Sequence, residues 1–428
     1  MKVLLISTSF DDDQRCDAIQ LDSHYPLGLA YLHSYLEYDT WDNEVKTLFL
    51  NDYPFEACYI ETINTLKEFK PDVVGFNILT NNRTTSYVMI NYIEEFYPNI
   101  KIVCGGIHTS VMYEQILNNI SDKVICVIGE GELTFKELLD KNFSEIYKIS
   151  GLAFKEDGFI IKTPEREHIK DLDILPFPNH GMYMNPYRFN ASILTSRGCP
   201  FKCSFCVLDS ISRRRVRFRS VSNVVDEIEY ISKQFPQILN IWIHDDNFTI
   251  SNERAINICK EIINRNIKMR FVCSARVKPF SKELIGWLER AGFIQVLFGV
   301  ESFNDKVLKN AHKGFKKQDA IDTITMFKDS KIIVTAFLIT GLYGETDETI
   351  KETWQTINEI QKVKDLYYKE IGVSMVYPGC EIFNQMKENN LIDESYWLQN
   401  KDIPFFTLEY SKDKLFEMKE ELLKHIRR

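Results

Sequence analysis

Three cysteines near the middle of the chain form a compact group of potential metal ligands. Cys199, Cys203 and Cys206 are separated by three and two residues. Three thiolates on one short loop bind three irons of a [4Fe-4S] cube and leave the fourth iron open, whereas electron carriers close all four corners with cysteine. A tetrahedral zinc ion completed by a nearby His or Asp is the second interpretation, and three buried thiols without metal is the third. The spacing favours the cluster with an open, reactive corner.

The cysteine loop follows the first strand of an alternating series of strands and helices. The strand candidates of this series are 191–196, 238–245, 269–276, 295–302, 332–341 and 370–377. Six such units predict a partial (β/α)6 TIM-like barrel rather than a closed eight-fold one. Chemistry in such barrels gathers in the loops that follow the strands. The cysteines thus lie where a catalytic loop is expected.

An earlier series of strands and helices occupies the first third of the chain. Its five largely apolar runs lie at 2–8, 44–50, 72–79, 101–106 and 124–129. Between them are stretches whose apolar residues recur every three to four positions, as in helices. This alternation predicts an α/β fold with a Rossmann-like, doubly wound parallel sheet. A ligand of such a sheet binds at the carboxyl ends of the strands.

The two series define the predicted domains, at 1–142 and 191–385. The stretch 143–190 is punctuated by Gly and Pro, which predicts a connector with a small hairpin around Glu156-Asp157-Gly158. Residues 386–428 are predicted to form a C-terminal helical cap that closes the open side of the barrel and contacts substrate. The alternative for its final helix, from Ser411 to Arg428, is an amphipathic helix that simply packs on the barrel.

The composition indicates a globular protein in a reducing compartment. The 428 residues are 44% apolar and carry a net charge of −9. No apolar run approaches the roughly 18 residues that span a bilayer, and the first residues lack a secretory signal, so we expect a cytoplasmic protein without a membrane partner. Thiols there stay reduced, and clustered ones are metal ligands more often than disulfides. The basic run 213–219 is interpreted as a solvated or cofactor-facing loop, and a nucleic-acid partner is not expected.

The cysteine loop resembles that of the radical S-adenosylmethionine (radical SAM) superfamily. The resemblance rests on Cys-x-x-x-Cys-x-x-Cys with an aromatic residue, Phe205, before the last cysteine. It extends to the later strand ends 242–248, 273–276, 292–302, 341–346 and 377–379. The similarity covers roughly residues 190 to 385, with Tyr343 in place of a usual Pro and Cys380 in place of a usual Thr. Neither departure touches the cysteines.

This resemblance implies a defined chemistry. S-adenosylmethionine chelates the open iron, and an electron from the cluster, supplied by a donor such as flavodoxin or ferredoxin, cleaves it to a 5′-deoxyadenosyl radical. The resemblance also implies cofactor contacts by Phe205, Asp245, Arg276 and Glu301. The alternatives are structural: helix caps for Asp245 and Asp246, an ion pair for Arg276 and a salt-bridged strand-end carboxylate for Glu301.

Glycines at successive strand ends of the first domain let the backbone approach a flat or phosphate-bearing ligand closely. Taken in order, these motifs resemble the cobalamin-binding domain that precedes the barrel in one large branch of the superfamily, over roughly residues 1 to 140. The resemblance implies cobalamin contacts by Gly28, Asn77, Gly105 and Gly106.

Two histidines of this domain are possible ligands or supporting residues. Cobalamin enzymes that displace the corrin base use Asp-x-His-x-x-Gly, and here one residue too many separates His24 from Gly28. His24 is therefore interpreted as a loop histidine rather than as the lower axial ligand of cobalt. His108 is interpreted as a surface or supporting residue.

Together, the two resemblances imply an enzyme that methylates an unactivated carbon or phosphorus centre of a small molecule or peptide. One S-adenosylmethionine furnishes the radical, and methylcobalamin, recharged by a second one, furnishes the methyl group. Two alternatives stay open. One is cyclisation, ring contraction or oxidation with the same cofactors, and the other is a non-catalytic cobalamin- or iron–sulfur-binding protein. The remaining cysteines are scattered and indicate no second cluster.

Overall fold

The chain forms two compact units in a computed structural model, which describes residues 1–10, 26–38, 43–182, 188–366, 371–399, 403–404 and 407–426. The first unit comprises Met1–Lys170, Ile174–Tyr183 and Ile392–Ile403. The second comprises Asp171–Asp173, Met184–Leu391 and Pro404–Arg428. Each unit therefore combines separate stretches of the chain. The boundaries at 142, 190 and 385 stay predictions.

The first unit is built around a seven-stranded sheet of order β2-β1-β3-β4-β5-β6-β7. Its strands are β1 (Lys2–Ser7), β2 (Glu44–Phe49), β3 (Val73–Asn77), β4 (Lys101–Gly105), β5 (Ile125–Val127), β6 (Leu152–Glu156) and β7 (Phe159–Lys162). The first five strands are parallel, while β6 and β7 form an antiparallel hairpin on the β5 edge. The five predicted parallel strands and the hairpin of the connector are both confirmed.

Helices cover both faces of this sheet. They are α1 (Leu27–Tyr38), α2 (Phe55–Phe69), α3 (Arg83–Phe96), α4 (Ile107–Asn119) and α5 (Glu132–Asp140). Successive side chains of a strand point to opposite faces, so β1 contributes to two cores. Leu4 and Ile6 pack with residues of α2, α3 and α4, whereas Val3 and Leu5 pack with residues of α1 and α5. The doubly wound prediction is confirmed.

The strand order reverses between β1 and β3. The chain passes from β1 to β2 on one side and then crosses to β3 on the other side of β1. In open α/β sheets, a ligand binds at the carboxyl ends of the strands beside such a reversal. The carboxyl ends of β3 and β4, where Asn77 and Gly105 lie, belong to this edge.

A buried arginine ties residues from the far end of the chain into the first unit. Arg83, on α3, donates from Nε to the carbonyl oxygen of Trp397 at 3.0 Å and from Nη1 to the carbonyl oxygen of Thr80 at 2.7 Å. The centre of the guanidinium also lies 5.3 Å from the centre of the Trp397 ring. Both side chains are fully buried. Chain that follows the last barrel strand is thus part of the interior of the first unit.

The second unit is built around six parallel strands in the order β15-β14-β13-β12-β11-β8. Its strands are β8 (Asn190–Ile193), β9 (Ser196–Arg197), β10 (Arg217–Phe218), β11 (Asn240–Ile243), β12 (Arg270–Ala275), β13 (Phe293–Glu301), β14 (Ile333–Thr340) and β15 (Ile371–Val373). Within the described ranges, β8 and β15 do not pair with each other, so the sheet is a curled half-barrel. The predicted partial (β/α)6 barrel is confirmed. The short strands β9 and β10 pair with each other.

The helices of the second unit bury apolar stripes against this sheet. They are α6 (Asp209–Ser212), α7 (Val221–Gln234), α8 (Asn252–Asn264), α9 (Lys282–Ala291), α10 (Asp305–Asn310), α11 (Lys317–Thr325), α12 (Asp347–Gln361), α13 (Glu381–Glu388) and α14 (Lys412–Ile426). Ser220, Ser251 and Ser281 begin α7, α8 and α9, because each serine oxygen accepts a backbone N–H of the first turn. Such a cap contributes about 1 kcal/mol.

The C-terminal helix packs on the barrel. Met418, Leu422 and Ile426 of α14, spaced by four residues, join the core of the half-barrel. A Cβ on Gly341, just after β14, would lie 2.2 Å from Leu415 of α14, so this glycine permits the close approach. Packing of the last helix on the barrel is confirmed, whereas the substrate contacts expected of residues 386–428 stay a prediction.

Over the described ranges, no helix combines the length and the apolar character that crossing a bilayer requires.

Candidate active site

The cysteine loop leaves the carboxyl end of β8 and turns sharply between its last two thiols. The backbone N–H of Cys206 donates to the carbonyl oxygen of Cys203 at 3.0 Å. All three cysteines are partly exposed. Burial raises the pKa of the Cys199 thiol and raises that of Cys206 to about 11. The thiols of Cys199 and Cys206 are therefore protonated near neutral pH unless a metal centre replaces the proton.

The donor set fits a [4Fe-4S] cluster better than a single ion. In the part of the chain that the structure describes, no three His, Cys, Asp or Glu side chains converge as one metal ion requires. Zinc would draw its ligands to about 2.3 Å. A cube binds each thiolate to a different iron, so its cysteines stand farther apart. The three thiols do not converge as a single ion would require, and a cube does not need them to.

Asp245, just after β11, holds the start of the cysteine loop. Its Oδ1 accepts the backbone N–H of Thr195 at 2.5 Å and of Ser196 at 3.1 Å. Its Oδ2 accepts the two hydroxyls, at 2.5 and 2.6 Å. Arg254 adds a hydrogen bond from Nη2 to the carbonyl oxygen of Thr195 at 2.7 Å. The helix-cap alternative for Asp245 is wrong, since Asn247 stands at the N-cap of the short 3-10 helix Phe248–Ile250 and Ser251 caps α8. A contact between Asp245 and the cofactor stays a prediction.

Asp246 lies beside the cysteines. Burial, and secondly the neighbouring Asp245, raises the pKa of Asp246 to about 6, while the N–H donated by Gly198 opposes the shift. Gly198 has φ +92°, and a Cβ there would lie 2.1 Å from the carbonyl oxygen of Arg215. Only glycine therefore allows the loop to reach Cys199 along this path.

Glu301, at the end of β13, forms the ion pair that the structural alternative describes. Its Oε1 lies 3.0 Å from Nζ of Lys313, and both side chains are buried. Glu301 has φ +68°, the left-handed region that is strained for a non-glycine residue. A Cβ on Gly299 would lie 2.8 Å from Glu301 Oε1, so Gly299 makes room for the carboxylate. A cofactor contact by Glu301 stays a prediction.

Two cations face aromatic residues of the cysteine loop. The centre of the Arg276 guanidinium lies 3.6 Å from the ring centre of Phe201, and Lys313 Nζ lies 5.8 Å from that of Phe205. Arg276 Nη1 also lies 3.8 Å from Cys203 Sγ. The structural ion pair considered for Arg276 is wrong, because no carboxylate among the described residues pairs with it.

Three of the four residues expected to contact cobalamin lie together at the carboxyl edge of the first sheet. Asn77 ends β3, Gly105 ends β4 and Gly106 follows directly. Gly106 has φ +96°, and a Cβ there would lie 2.5 Å from the carbonyl oxygen of Ile78. Glycine is thus needed at position 106, because any side chain there would collide with the backbone of Ile78. Gly28 is exposed on α1, where an added Cβ would meet no described residue outside its own helix within 4 Å.

The two histidines of the first domain have different outcomes. His24 lies outside the described residues. His108 is fully buried, with Nδ1 at 3.1 Å from the Thr80 hydroxyl and Nε2 at 2.9 Å from the Tyr87 hydroxyl. A surface position for His108 is therefore wrong. Burial, and secondly Arg83, lowers its pKa to about 3.

Sequence reasoning missed Lys313, Arg254 and Phe201 as parts of the site. Phe201 lies inside the cysteine motif, where its apolar character between two cysteines was an available signal. Lys313 and Arg254 belong to no sequence motif that could have marked them as site residues. The basic run is partly structural: Arg219 is buried in an ion pair with Glu227.

Comparison with known proteins agrees with this architecture. A family model described as the radical SAM superfamily matches residues 193–357, and one described as the B12 binding domain matches residues 20–139. An uncharacterized methyltransferase, PH0819, from Pyrococcus horikoshii is 30% identical over 379 residues, which cover 87% of this chain and 80% of the relative. The chain belongs to the radical SAM superfamily, in which it is an enzyme that carries a B12-binding domain.

Two further similarities bear on the reaction and on the fold. The anaerobic magnesium-protoporphyrin IX monomethyl ester cyclase of Rubrivivax gelatinosus is 30% identical over 345 residues, or 77% of this chain, although the chain spans only 61% of that relative. The radical S-adenosylmethionine methyltransferase TsrM of Kitasatospora setae, solved with cobalamin and a [4Fe-4S] cluster bound, superposes with a TM-score of 0.74 at 20% identity. That match covers 91% of this chain and 75% of TsrM, and it indicates a shared fold.

Proposed function

We propose that this enzyme holds a [4Fe-4S] cluster on Cys199, Cys203 and Cys206, binds S-adenosylmethionine and cobalamin, and methylates an unactivated centre. The observation that carries the proposal is the position of the three-thiol loop. It follows the first of six parallel strands, at the edge where such barrels bind their reactants. When bound, the cluster supplies the electron that cleaves the sulfonium, and cobalamin supplies a transferable methyl group.

Several described residues around the cysteine loop support this proposal. Arg276 Nη2 is buried without a hydrogen-bond acceptor among the described residues, so it suits the carboxylate of S-adenosylmethionine. Phe205 presents an aromatic face beside the last cysteine. Asp245 keeps the loop in place through four hydrogen bonds. An electron donor of the flavodoxin or ferredoxin class reduces the cluster.

Cobalamin binding is assigned to the carboxyl edge of the first sheet. The reversal of strand order beside β1 and β3 supports this position. Asn77, Gly105 and Gly106 would line the approach of the corrin. No described residue is proposed as an axial ligand of cobalt.

One other reaction, ring closure, also has support from a relative. The Pyrococcus horikoshii relative carries the name of a methyltransferase, which supports methylation. The Rubrivivax gelatinosus relative is a cyclase at the same 30% identity, which supports ring closure with the same pair of cofactors. The substrate class proposed for either reaction is a small molecule or a peptide.

Anaerobic reconstitution tests the cofactor assignment. With iron, sulfide and hydroxocobalamin, we expect about four irons and one corrin per chain. Alanine at Cys199, Cys203 and Cys206 together should abolish iron retention and the release of 5′-deoxyadenosine. Cys380→Ser is the matched control: Cys380 caps α13 with its sulfur, and serine caps equally well. Iron retained by the triple variant would contradict the proposal.

A labelled methyl group separates methylation from the alternative. The enzyme is incubated with S-adenosylmethionine that carries a deuterated methyl group and with extracts of candidate substrates. Methylation transfers the label to a product whose mass rises accordingly. Cyclisation or oxidation leaves the product unlabelled while 5′-deoxyadenosine still accumulates, and this outcome would favour the cyclase alternative.

A further inference from the structure

The Arg276 guanidinium is a buried cation that faces the cysteine loop. Arg276 follows β12 and is 8% exposed. Its Nη1 lies within hydrogen-bonding distance of Cys203 Sγ, at 3.8 Å, and its guanidinium stacks 3.6 Å from the ring centre of Phe201. The ring of Phe315 lies at 5.4 Å. The cation is therefore enclosed by two aromatic rings and one thiol.

Within the described ranges, no carboxylate forms an ion pair with this guanidinium. Its Nη2 is also buried without an acceptor among the described residues. The neighbouring cation Lys313, by contrast, is paired with Glu301 at 3.0 Å. A buried charge is costly unless an anion faces it. Arg276 therefore requires negative charge on the side of Cys203.

We propose that Arg276 raises the reduction potential of the cluster by donating a charge-assisted N–H···S hydrogen bond to the thiolate of Cys203. This inference rests on the proposed function, because it requires the cluster. Reduction adds one electron from the external donor and breaks no bond. The added negative charge lies next to the guanidinium, which stabilises the reduced state more than the oxidised state. Net charge and hydrogen bonds to sulfur are the main protein controls on such potentials.

This role differs from a contact with S-adenosylmethionine. The hydrogen bond to sulfur uses Nη1, whereas Nη2 at the other end of the guanidinium remains for a carboxylate. The effect on the potential is therefore present before S-adenosylmethionine binds. Arg276 acts through Cys203 and is a positioning residue in this respect.

The test is a redox titration of the reconstituted full chain without S-adenosylmethionine, followed by the electron paramagnetic resonance signal of the reduced cluster. At a fixed potential, Arg276→Gln should lower the ratio of reduced to oxidised cluster about tenfold, which equals about 59 mV for a one-electron couple. Arg276→Lys keeps the charge and should keep most of the ratio. The control is Arg290→Gln, since Arg290 is exposed and stacks 4.2 Å from Trp287 on α9. It should leave the ratio unchanged.

A second variant keeps the inference testable if Arg276→Gln fails to retain its cluster. Phe201→Leu removes the ring that holds the guanidinium against Cys203, and it should lower the ratio about threefold. An unchanged ratio in either loaded variant overturns the inference. In particular, Arg276→Gln with an unchanged ratio and weaker binding of S-adenosylmethionine would make Arg276 a cofactor contact only. Failure of the wild-type chain to assemble a cluster would instead contradict the proposed function itself.

Discussion

Lys313, which follows α10, forms a buried ion pair with Glu301 at the end of β13. The side chains are 5% and 9% exposed, and Nζ lies 3.0 Å from Oε1. Nζ also lies 5.8 Å from the ring centre of Phe205, one residue before the last cysteine. The pair therefore links the carboxyl end of β13 to the site.

Removing one partner of this pair should destabilise the second unit. Lys313→Met leaves the Glu301 carboxylate buried and unpaired, and such changes cost about 3 kcal/mol. The matched control is Lys278→Met, which breaks a half-exposed pair with Asp319 at 2.5 Å and should cost less than about 1 kcal/mol. Urea denaturation of the cluster-free proteins measures both changes. Equal losses in the two variants would contradict this account of the buried pair.

Asp245 should be needed for loading the cluster. Asp245→Asn keeps the size of the side chain but turns one of its acceptor oxygens into an N–H₂ donor that faces the donors of Thr195 and Ser196. We expect the iron retained after reconstitution to fall at least about tenfold, because a lost charge-assisted bond is worth about 1.5 kcal/mol or more. Asp226→Asn, on the exposed side of α7, is the control and should retain iron. Normal loading of Asp245→Asn would show that the loop does not depend on this carboxylate.

Glu345 should make the wild-type protein less stable as pH rises. It is 2% exposed and accepts the N–H of Gly341 at 2.5 Å. Burial raises its pKa to about 8 from an ordinary value of 4.5. The folded protein thus keeps a proton that the unfolded chain releases, so the contribution of Glu345 to stability is highest below pH 4.5 and falls by up to about 1.4 kcal/mol per pH unit towards pH 8.

Glu345→Gln mimics the protonated side chain and tests this dependence. The variant should match the wild type near pH 5 and exceed its unfolding free energy near pH 8. Urea midpoints at the two pH values give the difference. A variant that is weaker by the same amount at both values would show that the charge of Glu345 is not responsible.

His108 should give the opposite dependence. Burial lowers its pKa to about 3, so the folded chain keeps it neutral while the unfolded chain takes up a proton below pH 6.5. The contribution of His108 to stability is therefore fully present above pH 6.5 and is lost as pH falls towards 3. His108→Gln should lose less stability than the wild type between pH 7 and pH 5. His425→Gln, at a half-exposed position on α14, is the control and should follow the wild type; a parallel decline of wild type and His108→Gln would contradict the prediction.

The strands and the cysteine loop were predictable from sequence because both have local signals. Buried parallel strands appear as apolar runs, and three thiols at short spacing are chemically distinctive. Predicted strand ends differ from the structure by a few residues, as at 238–245 against Asn240–Ile243. The sequence does not show where the backbone hydrogen bonds of a strand end, so polar residues that follow a strand are easily included in the predicted range.

The partners of the site residues were not predictable. Asp245 reaches Thr195 and Ser196 across about 50 residues of sequence, and Arg276 reaches Cys203 across 73. Such pairings arise because parallel strands that are neighbours, or next but one, end at the same edge of the sheet, which no periodicity records. The alternative of helix caps for Asp245 failed for the same reason: an aspartate before a helix has the same local pattern whether it caps the helix or bonds to the preceding strand end.

The engagement of Trp397 by Arg83 has a consequence for dissecting the enzyme. Because Trp397 comes after all six barrel strands, a fragment that stops at the end of the B12-binding match would lack the indole that fills its own interior. A fragment that begins at the barrel would likewise carry the stretch around Trp397 without the sheet of the first unit. A chimaera that joins the first unit of one relative to the barrel of another cannot be made with a single junction. It must take the stretch around Trp397 from the same relative as the amino-terminal sheet.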